Sequence, residues 1–465
     1  MCGVLGIMGG YNLREARELL LLLTHRGQDA SGLLWQTHGV MSSAKAMGSP
    51  AEIDVPEGQA DIVLGSTRYP TSGRQVVSEA ELDTFVGPFP KGDIAVTHNG
   101  NITNVQVHSR KRYDCDAEFI ADMLQLKMQE TGNSLPEAFR RLDTDFDGAY
   151  SLVGLHGDNL FAYRDPRGFK PLVFGRNATH TVIASESIVL DMAGLTLERD
   201  VYPGELIIFR PDGSMESHSI SQSSTHSHCF FEYVYFANPA SRMESQLVYD
   251  VRFRLGRALA RLFKRRGFPD PDYVVPVPDT SRPAAQALAE ELKVPMREII
   301  LKNRYLGRTF IARSQKDRDA MARHKYLYLE DKIRGRDLLV VDDSIVRGTT
   351  AKMIVADLRK RGARKVYFAV TCPPQNHPCY YGIDISTSRE LIASEKDLEK
   401  IREFIDADAV IYQDMDSLVN AIGMRDNCLA CLDGRYPTEH ARWIRQVAAQ
   451  SGESCTGRDY ERIVG

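Results

Sequence analysis

The chain opens Met1-Cys2-Gly3-Val4-Leu5-Gly6-Ile7, which places a thiol directly behind the initiator methionine. With Met1 removed, one residue carries both a thiol nucleophile and a free α-amine. Such an amine titrates near about pH 7.7–8.0, so part of it is neutral at physiological pH and can serve as the base. A cysteine near a terminus is more often an accident of a frayed end. Here, however, residues 5–9 read as a buried strand entering a glycine turn. A second centre lies in Leu338-Leu339-Val340-Val341-Asp342-Asp343-Ser344-Ile345-Val346-Arg347-Gly348-Thr349-Thr350, where an apolar strand ends in two carboxylates and a Gly/Thr turn opens a helix. The carboxylates suit sugar hydroxyls and a magnesium shell, and the turn's N–H groups suit a phosphate. A third is Cys428-Leu429-Ala430-Cys431, a C-x₂-C knuckle that could hold metal. Cys229, Cys372 and Cys379 are candidates to complete it, and spacing does not choose among them.

These groups need elements to position them. Up to about residue 210, short β-branched strands alternate with Gly, Asn and Asp turns, interrupted by helices predicted over 13–23 and 117–129. Residues 214–228, rich in Ser and His, read as a linker. From residue 249 the rhythm becomes α/β: helix 249–265, strand 273–278, helix 284–292, strand 338–342, helix 350–361 and strand 366–370. That alternation predicts a parallel sheet covered by helices, with Asp342 and Asp343 at the carboxyl end of a strand, where such sheets bind ligands.

Composition narrows the function. At 465 residues the chain is long enough for two or three domains, and its net charge of −4 gives no basic footprint for nucleic acid. No apolar run is long enough to span a bilayer, and no signal peptide is recognisable, so no membrane partner is expected. Eight cysteines are too sparse for a disulfide framework. The expected compartment is the cytoplasm.

A cysteine nucleophile also needs a substrate anchor and an oxyanion hole. Thr24-His25-Arg26-Gly27-Gln28-Asp29, Ser66-Thr67-Arg68-Tyr69-Pro70-Thr71 and Thr97-His98-Asn99-Gly100-Asn101 can supply them. Arg68 offers a fork for an α-carboxylate, Asp116 a partner for an α-ammonium, and Asn99 with the Gly100 N–H two oxyanion donors. Singly, Asn99-Gly100 also reads as a hairpin turn and Arg68 as a solvated strand-end charge. As an ordered set, continued by Asp147-Gly148-Ala149-Tyr150-Ser151, Arg164-Asp165-Pro166 and Ala184-Ser185-Glu186-Ser187, these segments resemble the class II glutamine amidotransferase domain. The resemblance implies that Cys2 attacks the glutamine amide, Arg68 and Asp116 hold the amino-acid end, and Asn99 and Gly100 form the oxyanion hole. Ser66 departs from the pattern, in which a histidine often precedes the arginine.

The downstream motif resembles the type I phosphoribosyltransferase signature. Val275-Pro276-Val277-Pro278-Asp279-Thr280-Ser281-Arg282 fits the loop that receives pyrophosphate, with Thr280 near the metal. The resemblance places phosphoribosyl pyrophosphate on Asp279, Thr280, Ser281, Asp342, Asp343, Ser344, Arg347, Gly348, Thr349 and Thr350, and magnesium on Thr280, Asp342 and Asp343. Lys302 to Ile311, followed by Lys316, Arg318, Arg323 and Lys325, reads as a mobile basic lid. Residues 324–331 depart from the family's Lys-Leu-Asn segment there.

A class II glutaminase followed by this transferase resembles the glutamine phosphoribosylpyrophosphate amidotransferase family, also through Cys229-Phe230-Phe231-Glu232-Tyr233-Val234-Tyr235-Phe236, Tyr381-Gly382-Ile383-Asp384 and Gln413-Asp414. The implied architecture is an α+β N-terminal-nucleophile αββα sandwich over 1–225. An α/β phosphoribosyltransferase domain over 226–465 follows, with a C-terminal cluster-binding extension. The iron–sulfur branch of the family implies a [4Fe–4S] cluster on Cys229, Cys379, Cys428 and Cys431, with structural zinc as the rival. His226 and His228 beside Cys229 keep a mixed-ligand zinc site open. Cys372 is left as core filler, and Cys115 and Cys455 have no assigned role. Glutamine, phosphoribosyl pyrophosphate, purine nucleotide feedback inhibitors and a homo-oligomeric dimer or tetramer are the expected partners. A paralogue with a different acceptor and a nucleotide-binding regulator are the competing functions.

Overall fold

The computed structural model describes residues 1–69, 78–109, 113–223, 225–303, 325–385 and 387–450. The amino-terminal half is built on two stacked antiparallel sheets. In the seven-stranded sheet, strand Gly3–Asn12 lies between Gln59–Arg68 and Thr181–Ala184. In the six-stranded sheet, Ile94–Ile102 pairs with Gly148–His156.

Strand alternation sorts the side chains into layers. Val4 and Met8 face inward and meet Val153, Leu155 and Leu160 of the other sheet. Leu5 and Ile7 face outward and are covered by helix Leu13–Leu21. Helices Asp116–Glu130 and Leu135–Asp145 cover the outer face of the second sheet through Phe119, Leu124, Phe139 and Leu142. The order is therefore helix, sheet, sheet, helix. The second of these two helices was not foreseen, although Pro136 at its first turn and its Leu135/Ala138/Phe139/Leu142 stripe fit a helix. Part of the expected linker, Met215–Ser219, is instead an edge strand paired with Glu205–Phe209.

The carboxy-terminal half carries a four-stranded parallel sheet in the order Tyr273–Pro276, Asp337–Asp342, Lys365–Val370, Ala409–Tyr412. Helices Val248–Arg265 and Arg282–Leu292 pack on one face through Leu259, Phe263 and Leu288. The other face is covered by helix Thr349–Lys360 through Ile354 and Leu358. Both strands that carry the expected phosphate-side loops end at the same edge, facing the amino-terminal half. Among the described residues, no helix is long and apolar enough to cross a membrane.

Candidate active sites

Cys2 sits at the start of the central strand, and neighbouring strands hold it there. The Gly3 N–H donates to Thr67 Oγ1 at 3.0 Å, and the Val4 N–H to Ser185 Oγ at 3.0 Å. The Cys2 N–H donates to Asn99 Oδ1 at 3.2 Å. Asn99 is fully buried, and among the described residues its Nδ2 has no hydrogen-bond partner. A buried orphan donor costs about 1–3 kcal/mol, which is offset only when an acceptor arrives. Asn99 and Gly100 do not form a hairpin turn but lie within strand Ile94–Ile102. Gly100 has φ +152°, and a Cβ there would stand 1.9 Å from the Ala149 carbonyl oxygen, so only glycine fits.

A small pocket is lined by Cys2, Ser66, Arg68, Tyr69, His98, Gly100 and Asp116. Arg68 is buried, with Nη1 donating to the Phe85 carbonyl at 2.6 Å, so it is not a solvated charge. Asp116, in the first turn of its helix, accepts the Ile102 N–H at 3.1 Å and lies 3.6 Å from His98 Nδ1. Met1 is fully buried. Its amine is pushed down to about 5 by burial, which outweighs the opposing effect of the Cys2 thiol, with Lys170 and Arg26 adding to the shift.

The second site is a cavity of about 690 Å³ at the carboxyl edge of the parallel sheet. Asp342 and Asp343 are buried in its floor, where Thr280 Oγ1 donates to Asp343 Oδ2. Ser344 Oγ donates to Asp343 Oδ1 at 2.7 Å, and the Asp343 N–H to Asp342 Oδ1 at 2.9 Å. Burial raises both carboxyls above the usual carboxylate range, and Asp343 adds to the rise at Asp342. Arg347, Gly348, Thr349 and Thr350 line the same cavity, with Thr349 beginning the helix. Asp279 lines it while bound to Lys302 at 2.8 Å. Ser281 is the exception, because its hydroxyl donates back to the Val277 carbonyl and it does not line the cavity.

Lys302 and Lys325 also line the cavity, whereas residues 304–324 of the expected lid lie outside the described residues. The stretch 326–331 is not a loop: Tyr326–Tyr328 is a strand paired with Ile300–Lys302, and Glu330–Ile333 is a helical turn. Tyr326 is buried in the cavity wall.

The seven cysteines within the described residues are all free. Cys229 and Cys428 are register partners in two short parallel strands. Cys379 packs beside both Cys428 and the Cys431 cluster of the core. Burial pushes the Cys428 and Cys431 thiols up, and the neighbouring cysteines push them further. Among the described residues, no three His, Cys, Asp or Glu side chains are gathered around a single ion position.

The two pockets share a wall. His25, Gln28 and Tyr69 of the amino-terminal half line the larger cavity together with Asp342, Asp343 and Asp384. Tyr69 lines both pockets, and its hydroxyl donates to Asp384 Oδ2 at 3.4 Å. Family profiles match accordingly: a glutamine amidotransferase domain over residues 76–192 and a phosphoribosyl transferase domain over residues 251–396. The amidophosphoribosyltransferase of Methanocaldococcus jannaschii is 36% identical, covering 94% of this chain and 98% of its own. That of Escherichia coli K12 is 34% identical, covering 91% and 88%. The chain belongs to the amidophosphoribosyltransferase family. In solved structures the same fold occurs in the B. subtilis glutamine phosphoribosylpyrophosphate amidotransferase complexed with ADP and GMP. That structure aligns with a TM-score of 0.82 at 32% identity, covering 94% of this chain and 98% of its own.

Membership fixes the reaction: hydrolysis of glutamine and amination of phosphoribosyl pyrophosphate, in purine synthesis. The amidophosphoribosyltransferase fold also contains groups that sequence reasoning did not single out. Arg26, fully buried, donates to Glu186 at 2.5 Å and to Glu232 at 2.7 and 3.0 Å, and its Nε reaches the Cys2 carbonyl at 3.3 Å. Arg252, also buried, donates to the carbonyls of Tyr233, Tyr235 and Ala237 beneath the acceptor cavity. A charged residue within the apolar stripe of helix Val248–Arg265 was the signal that could have revealed it.

Proposed function

We propose that the two half-reactions run at Cys2 and at Asp342–Asp343. The shared wall at Tyr69 is the observation that carries this reading, since one residue lines both pockets. With Met1 removed, the Cys2 thiol attacks the glutamine amide carbon and its proton passes to the α-amine, which returns it to the departing ammonia. Arg68 and Asp116 hold the α-carboxylate and α-ammonium of glutamine. Asn99 Nδ2 and the Gly100 N–H receive the oxyanion, and water then releases glutamate from the thioester. In the acceptor cavity ammonia attacks the anomeric carbon, pyrophosphate leaves, and 5-phosphoribosylamine forms. Asp342 and Asp343 take the ribose hydroxyls, Arg347–Thr350 the 5′-phosphate, and Asp279 and Thr280 the diphosphate side.

Thr280, Asp342 and Asp343 would hold magnesium, and two adjacent buried carboxyls form a donor set suited to a divalent cation. The ion would supply charge neutralisation at the departing pyrophosphate. Cys229, Cys379, Cys428 and Cys431 would hold a [4Fe–4S] cluster. Four free thiols from three chain segments within electrostatic reach of one another support this, and a cubane takes one thiolate per iron, so they need not share one ion position. The ADP and GMP bound by the B. subtilis relative support purine nucleotides as feedback ligands here.

The deciding assay is pyrophosphate release from phosphoribosyl pyrophosphate with glutamine or with ammonium. Activity with both is expected. Protein that hydrolyses glutamine but does not consume phosphoribosyl pyrophosphate would favour a different acceptor. Anaerobically purified protein should be brown with about four irons per chain. Colourless protein with stoichiometric zinc replaces the cluster with a zinc site.

A further inference from the structure

His98 is buried and lines the small pocket with Cys2, Arg68, Gly100 and Asp116, yet no step above uses it. Its ring lies between the two groups that would hold opposite ends of glutamine. One nitrogen, Nε2, donates to the Ala149 carbonyl at 3.3 Å. The other, Nδ1, stands 3.6 Å from Asp116 Oδ2, at ion-pair rather than hydrogen-bond distance. A carbonyl and a carboxylate only accept, so the ring meets both favourably when each nitrogen carries a hydrogen.

Each contact reaches past its partner to a substrate group. A Cβ at Gly100 would stand 1.9 Å from the Ala149 oxygen and 2.9 Å from His98 Nε2. The ring therefore packs where a side chain on Gly100 would go, and it engages the carbonyl that closes over the Gly100 peptide. On the other side, Asp116 Oδ2 also accepts the Ile102 N–H at 3.1 Å. Two supports of this carboxylate, His98 and Ile102, thus come from one strand, Ile94–Ile102. That strand is paired with Gly148–His156 along its whole length, with His98 opposite Leu152, so the sheet fixes where the ring stands.

We propose that His98 is a positioning residue that serves both ends of glutamine through different nitrogens. Through Ala149, Nε2 holds the Gly100 peptide in place for the oxyanion. Through Asp116, Nδ1 holds the carboxylate that receives the α-ammonium. This deepens the glutaminase reading above and rests on it. An oxyanion contact strengthens in the transition state, so its loss falls on kcat. The α-ammonium is held alike in the ground and transition states, so loss of that contact falls on KM.

Two variants separate the nitrogens, because the amide of an Asn side chain reaches the place of Nδ1 and that of a Gln side chain the place of Nε2. Full-length wild type, His98→Gln and His98→Asn are assayed for glutamine hydrolysis, with ammonia-dependent synthesis and circular dichroism as controls of folding. His98→Gln keeps the donor to Ala149 and should raise KM for glutamine at least about fivefold, with kcat within about twofold of wild type. His98→Asn keeps a donor beside Asp116 and should lower kcat at least about tenfold, with KM within about twofold. In an Asp116→Asn background the loss in kcat/KM from His98→Gln should shrink to less than about twofold. Parallel changes in both variants, or a loss that survives Asp116→Asn, overturn the proposal. If only one variant folds, its own split decides; if neither folds, His98 is a framework residue and the proposal is overturned. Wild type that does not hydrolyse glutamine overturns the glutaminase reading itself. Active wild type whose kinetics both variants match overturns only the role of His98.

Discussion

Asn101 Nδ2 donates to the Tyr380 carbonyl at 3.0 Å, tying the strand of Asn99 and Gly100 to the segment that continues into the acceptor cavity. Two residues further along, Gly382 (φ +91°) crosses the same strand so closely that a Cβ would stand 2.7 Å from the Gly100 carbonyl oxygen. The strand of Asn99 and Gly100 and the wall of the larger cavity therefore share a close contact. Asn101→Ala removes this donor from the buried Tyr380 carbonyl at a cost of about 1 kcal/mol. It should reduce the ratio of glutamine hydrolysis with and without phosphoribosyl pyrophosphate, while ammonia-dependent synthesis stays within about twofold of wild type, since the contact joins the strand of Asn99 and Gly100 to the wall of the larger cavity. An unchanged ratio in a folded variant counts against that route.

Cys2→Ala should abolish glutamine-dependent turnover and spare ammonia-dependent turnover. So should a form that retains Met1, because its amine is displaced by one residue from the thiol. Intact-mass measurement before the assay shows which form is present. Loss of both activities together, in folded protein, would contradict separate reaction centres.

How much of this was legible in the chain differs between its halves. The strand carrying Asp342 and Asp343 and the helices around it followed directly from apolar runs and their spacing, because a parallel sheet buried on both faces leaves a continuous signature. Asn99-Gly100 misleads locally, since that pair favours a hairpin turn, yet pairing with Asn101↔Ala149 and Asn99↔Ser151 keeps it in a strand. Tertiary pairing overrides propensity there. The Arg26–Glu186 and Arg26–Glu232 contacts span 160 and 206 residues, and no sequence period pairs residues so far apart.

Asp343→Ala should cost at least tenfold in transferase kcat/KM, about 1.4 kcal/mol or more, and leave basal glutamine hydrolysis intact. It removes a group bound to Thr280 and Ser344 in the cavity floor.

The raised carboxyls of Asp342 and Asp343 give the acceptor site a pH dependence of defined sign. At a pH where an ordinary aspartate is ionised, the pair still retains a proton, and a bound cation must displace it. Affinity for magnesium with phosphoribosyl pyrophosphate should therefore rise with pH from about 4 upward until the pair is fully ionised. Calorimetry in buffers of different ionisation enthalpy should show proton release on binding in that range. Asp342→Asn should release less and show a flatter dependence.

Glu186 joins the two halves. Its carboxylate accepts from His25 at 2.7 Å and Arg26 at 2.5 Å, and across the junction from the Asn238 N–H and Ser241 hydroxyl at 2.8 Å each. Burial opposes its ionisation, but His25 and Arg26 outweigh burial and hold it well below the usual carboxylate range. A depressed carboxylate contributes stability that is complete above its unfolded value, about 4.3, and is lost as pH falls toward its folded value. Glu186→Gln keeps the shape but leaves Arg26 short of charge and turns an amide toward donors. It should therefore lower stability at pH 7 by about 3–5 kcal/mol, the usual cost of breaking a buried pair. Scanning calorimetry of wild type and variant should show a difference that is constant above about pH 5 and narrows in acid, as the unfolded wild type takes up a proton on Glu186 that the folded state still excludes. A difference that instead widens on acidification would mean that the carboxylate is not the ionised hub of this junction.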